Sequence, residues 1–146
     1  MLGAIVFAAA VTVSSQFLAD FKGTWNCGGS TWTIASAPGN SAWATVTYGK
    51  GDTIWGTAYV GWVEQQRRYI YRDFHNDGAV AELSSPAPGA DHTWVWTGTY
   101  YPMGQPADPN PHITWTYQPP NTIVRHFAKQ QDGQFVDMGS DRCTRS

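Results

Sequence analysis

The sequence predicts an all-β domain: an up-and-down antiparallel β-barrel of eight to ten strands with a short N-terminal helical turn. Three observations carry that prediction. Charged residues make up 14% of the 146-residue chain and aromatics another 14%, where an average soluble protein has about 25% charge. Fifteen Gly and nine Pro supply turn formers, many of them grouped between short segments of period-two alternation. Those segments follow one another at even spacing with no long helical stretch between, which fits a meander and excludes α/β alternation. The length allows one domain, and the lack of an internal repeat argues against a propeller. A net charge of −2 gives no electrostatic footprint for nucleic acid.

The elements follow in order. Leu2 to Val13 is an unbroken apolar run of twelve residues, too short for the roughly 20 that a spanning helix needs. It matches the apolar core of a secretory signal, with small residues at Val13-Ser14-Ser15 before a cut near Gln16, although no Lys or Arg precedes it. The expected organisation is therefore a signal peptide over 1–15 and a barrel domain over 16–146, secreted or periplasmic, with no stable membrane insertion. A buried N-terminal strand or helix is the alternative for the apolar run. Phe17, Leu18 and Phe21 then stand at helical spacing for about a turn and a half.

After them the period becomes two. The expected strands are 23–27, 30–36, 42–48, 53–62, 67–75, 79–84, 92–101, 112–117, 122–128 and 134–143. Turn signals separate them, among them Pro38-Gly39-Asn40, Asn76-Asp77-Gly78, Pro119-Pro120-Asn121 and Asp132-Gly133. Within strands, Trp55, Thr57 and Tyr59 share one parity, as do Tyr69, Tyr71, Asp73 and His75, and these faces carry rings with polar tips. Trp94 and Trp96 share a face, as do Ile113, Trp115 and Tyr117. A sheet with one solvated face would alternate apolar with charged residues; here both faces are partly apolar. Closing the sheet removes its edges, and a barrel of this size holds one ligand inside. The alternative is that the rings only pack.

Cys27 and Cys143 lie near opposite ends of the mature chain. In an exported protein a small, even cysteine count reads as a disulfide, with two buried thiols as the other possibility. No CxxC or paired Cys/His spacing suggests zinc or attached haem.

Residues 17–29, FLADFKGTWNCGG, resemble the opening of lipocalin-like (calycin) barrels, in which a helical turn plugs one end and a Gly-x-Trp begins the first strand. Gly23-Thr24-Trp25 occupies that place. The resemblance implies a Trp packed under a basic residue of the last strand. Arg142 is the obvious candidate, Arg145 has the parity that a Cys27–Cys143 pairing requires, and Arg125 is a third choice. The haem-holding nitrobindin branch opens with Gly-x-Trp-x-Gly and takes its ligating His from the last strand. This chain has Cys27 at the second Gly and no His in 134–146, with His126 one strand earlier. Haem binding is therefore the minority reading, and no cofactor is expected.

The densest polar patch is the strand from Arg67 to His75. Asp73 and His75 project to one side, and with Glu82 on the partner strand they could do acid–base work; a hairpin end tied to its own turn is the other reading. Arg68 and Arg72 take the opposite face; outward they are solvated, and inward they would stack on rings or bind a carboxylate, pointing to an acidic ligand head. His92, His112 and His126 stand singly, and no nucleophile or phosphate-loop signature is present. Tyr100 to Pro111 is a proline-stiffened loop of the kind that edges a binding site, with Tyr100, Tyr101 and Met103 at its base.

These readings converge on reversible binding of a small apolar or aromatic molecule inside the barrel. The expected lining is Tyr69, Tyr71, Trp94, Trp96 and Trp115, then Trp55 and Tyr59, with Asp73 and His75 fixing orientation. The rivals are an enzyme on the same barrel using Asp73, His75 or Glu82, and a filled barrel acting through its surface.

Overall fold

The computed structural model describes residues 11–146. Ten of the fifteen residues expected as a leader thus lie outside the described residues. Ten antiparallel strands follow the chain in order and close on themselves, β1 pairing with both β2 and β10. A 3-10 turn (Val13–Ser15) leads into α1 (Gln16–Phe21), and the strands are β1 (Gly23–Cys27), β2 (Ser30–Ala37), β3 (Asn40–Lys50), β4 (Thr53–Val63) and β5 (Arg68–His75). The return half is β6 (Val80–Ser85), β7 (Thr93–Tyr101), β8 (Pro111–Gln118), β9 (Thr122–Gln131) and β10 (Gln134–Arg145). Every expected strand is present, and closure leaves no edge to protect. No helix among the described residues is long and apolar enough to cross a membrane.

Closure is fixed at the seam between β1 and β10. Cys27 stands opposite Cys143 in the register, and the two form a disulfide. Two residues away Trp25 stands opposite Arg145, whose guanidinium lies 4.1 Å over the indole. Arg145 is therefore the residue that covers Trp25, as parity with the disulfide requires, and it also donates to the Lys22 carbonyl at 2.5 Å. Arg142 faces away.

One end of the barrel is plugged. Phe17 and Phe21 of α1 are 2% and 0% exposed and enter a ring of aromatics. Phe17 meets Trp94, Trp96, Trp115 and Tyr69 at ring distances of 5.4 to 6.4 Å. The pairs with Trp94 and Trp96 are edge-on, and pairs of this kind each add about 0.5–1.5 kcal/mol beyond the area they bury. The Asp20 carboxylate anchors the helix: Oδ1 meets Gln16 Nε2 at 2.7 Å and His92 Nδ1 at 3.0 Å, and Oδ2 accepts from Trp94 Nε1 at 2.9 Å. Tyr69 Oη donates to the Val13 carbonyl, so the 3-10 turn is tied to the same end.

Candidate functional site

Beyond the plug the barrel is hollow. A cavity of about 420 Å³ lies between its walls, within the range of about 300–1,000 Å³ usual for small-molecule sites. The register explains why space is left. β4 pairs Ala58 with Asp73 and Val60 with Tyr71, and Gly56 stands opposite His75. Because cross-strand partners share a face, small β4 side chains turn inward beside the large ones of β5. On β6 and β9, Ala81 and Ala128 add further short side chains to the wall.

The same register moves two expected lining residues to the outside. Trp55 and Tyr59 are each 45% exposed, because the ring-bearing parity of β4 is opposite to that of β5 and Tyr59 pairs with outward Arg72. Two others are inside but not at the cavity. Tyr69 and Trp94 are 1% and 0% exposed and are consumed by the plug, where their rings lie 4.8 Å apart against Phe17. The remaining five, Tyr71, Asp73, His75, Trp96 and Trp115, come together on the cavity wall.

Residues that the strand parity alone did not single out complete it. Trp32 on β2 stacks on Tyr48 of β3 at 4.5 Å between centroids. Arg125 on β9, 5% exposed, points inward with its guanidinium 4.2 Å over Trp32. Its Nε and Nη2 donate to Asp141 at 2.8 and 2.5 Å, a bidentate pair that fixes the plane of the fork. Leu83, Ile113 and Phe127 supply apolar wall, and Tyr100, Asp108, Lys129 and Met138 also line the space. The loop after β7 is held by paired backbone bonds between Tyr100 and Asp108, at 2.8 and 2.7 Å. Of the residues at its base, Tyr100 lines the cavity, whereas Tyr101 and Met103 are exposed.

The polar centre is a chain of three groups. Tyr48 Oη lies 3.0 and 2.9 Å from the two Asp73 oxygens, and His75 Nε2 lies 3.2 Å from Oδ2. Tyr48 can lean this far because Gly56 lies beneath it; a Cβ there would sit 2.6 Å from Tyr48 Cζ. Burial raises the Asp73 carboxyl above its ordinary 3.8, against the opposing pull of His75 and of the Tyr48 hydroxyl. Burial, and then the charge of Asp73, push the Tyr48 and Tyr71 phenols up. Both therefore stay protonated across the physiological range, Tyr48 donating to Asp73 and Tyr71 keeping its O–H unused.

Glu82, expected near this pair, is on the other side of the wall. It is exposed and lies 4.0 Å from Arg72, because Arg72 and Glu82 are register partners on the outward face. Arg68 is outward too, its Nε donating to Ser84 Oγ at 2.8 Å. Among the described residues no group of three or more His, Cys, Asp or Glu side chains is gathered to hold a metal. No family model and no curated protein matches the chain.

Proposed function

We propose that this is an exported, lipocalin-like carrier that reversibly binds a small apolar or aromatic molecule inside the barrel. The observation that carries the reading is the contrast between the two ends: one is filled with rings, the other is an apolar-walled space with a few fixed polar groups. Burying roughly 200 Å² of ligand apolar surface at about 25 cal/mol per Å² supplies about 5 kcal/mol before ordering costs. Trp96, Trp115 and Trp32 provide the faces for it. Tyr71, Asp73 and His75 orient the molecule, and residues 1–15 direct export. The disulfide supports an oxidising compartment outside the cytoplasm.

Native mass spectrometry of the protein from its own host tests the reading. The expected result is a discrete added mass that is lost on denaturation, and weaker retention in Tyr71→Ala. Bare protein that also takes up nothing from a lipid and aromatic library would overturn it and favour a barrel that works through its surface.

One observation favours a second reading. The Asp73–His75 contact at 3.2 Å, in a wall that also holds Tyr48, is an arrangement able to move a proton. That reading requires turnover of the bound molecule, lost in His75→Gln while binding persists.

A further inference from the structure

Around Arg125 and Tyr71 the hydrogen-bonding capacity left over is of one kind, while the partly exposed Asp108, which also lines the space, accepts one bond from the Asn110 backbone N–H. The carboxylates beside these two residues are engaged: Asp73 shares the single Tyr48 hydroxyl between its oxygens and meets His75 through Oδ2, and both oxygens of the partly exposed Asp141 accept from Arg125. The free groups are donors. Arg125 binds Asp141 through Nε and Nη2, and among the described residues Nη1 has no partner. Tyr71 is 4% exposed, and its hydroxyl likewise makes no hydrogen bond among them, although Asp73, Tyr48 and Arg125 all lie close enough to act on its charge. Trp96 Nε1 is also without a partner, but it is sealed among protein atoms and offers the cavity nothing. Arg125 Nη1 and Tyr71 Oη are not sealed among protein atoms, so a group entering the cavity can meet them.

Resting on the carrier reading, we propose that the molecule held in the cavity carries a carboxylate. It accepts hydrogen bonds from Arg125 Nη1 and Tyr71 Oη while its apolar body lies against Trp96, Trp115 and Leu83. The charges agree. Asp141 is 32% exposed and shares its charge with water, whereas the Arg125 side chain is 7% exposed and faces the cavity. Lys129 adds a second positive group to the wall. Burial biases Asp73 toward its neutral form, which reduces the nearest repulsion. An ammonium group would find Asp73 and Asp141 already engaged and only the partly exposed Asp108 to meet it.

Quenching of tryptophan emission with three probes of one shape tests this: 2-naphthoate, its methyl ester, and 2-naphthylmethylammonium. The acid should bind at least about tenfold tighter than the ester, with the ammonium weakest. Tyr71→Phe, which keeps the ring, should weaken the acid by about tenfold. Arg125→Gln combined with Asp141→Asn should abolish the preference for acid over ester. If that pair fails to fold, the Tyr71→Phe arm decides. An ester that binds as tightly as the acid, an ammonium that binds tightest, or no effect of Tyr71→Phe overturns the carboxylate and leaves the carrier reading intact. Binding of none of the three overturns both.

Discussion

At the plugged end of the barrel Asp20 is 2% exposed, and Gln16, His92 and Trp94 converge on its two oxygens. At the hollow end Asp73 is 8% exposed and is met by Tyr48 and His75. The chemistry is alike, but the surroundings differ. Around Asp20 every direction is occupied by Phe17, Phe21 and the strand rings, so its hydrogen bonds hold a helix to a sheet. Beside Asp73 lies about 420 Å³ of space, with donors on the same wall that the protein itself does not use. A buried carboxylate becomes part of a site when the packing around it stops short, not because of what it is.

The comparison can be broken most forcefully at the plug. Phe17→Ala should cost about 3–5 kcal/mol, the usual range for removing a buried aromatic ring, read as a shift of the denaturation midpoint. A loss below about 1 kcal/mol would mean that the plugged end is not core. Next comes Asp20→Ala, which strands the Trp94 indole N–H and the His92 ring; about 1–3 kcal/mol should be lost for the orphaned donor. Thermal melts should show it at neutral pH.

The smallest effect, of opposite sign, is expected from Asp73→Asn. Because the folded protein holds the Asp73 proton more tightly than the unfolded chain, wild-type stability is fully present below the unfolded value near 3.8 and falls as pH rises through the raised pKa. Asn keeps an acceptor for Tyr48 and cannot ionise. Its melting temperature should therefore track wild type in acid and exceed it at neutral pH. Parallel pH profiles for the two proteins would show that burial does not bias this group.

The barrel itself was legible because strand period, turn residues and a two-residue parity rule are local signals. Parity with a Cys27–Cys143 pair counted against Arg142 and suited Arg145, but it left the choice among Arg142, Arg145 and Arg125 open until the register was known. The site was half legible. Tyr71, Asp73 and His75 share one parity, which the structure turns toward the cavity, yet the same reasoning on β4 chose Trp55 and Tyr59 because large rings were assumed to point in. The inward face there is Gly56, Ala58 and Val60, and a hollow barrel needs such small residues somewhere. Arg125 was weighed only as a cover for Trp25. Its true setting on Trp32, two strands beyond the disulfide seam, depends on long-range register that no single strand encodes. Tyr69 and Trp94, expected as lining, are interior residues packed on Phe17, and only the position of α1 decides which interior residues face a plug and which face space.

The cross-link between Cys27 and Cys143 spans 116 residues of chain, and those residues include nearly the whole barrel. Under mechanical load this makes the domain a short rigid link. A pull applied at the two ends travels through one covalent bond near both, and nothing between the cysteines bears it. Extended, the shielded chain would measure about 400 Å at roughly 3.3–3.6 Å per residue. That length stays hidden from force until a reductant cuts the bond, and only then does tension reach the cavity.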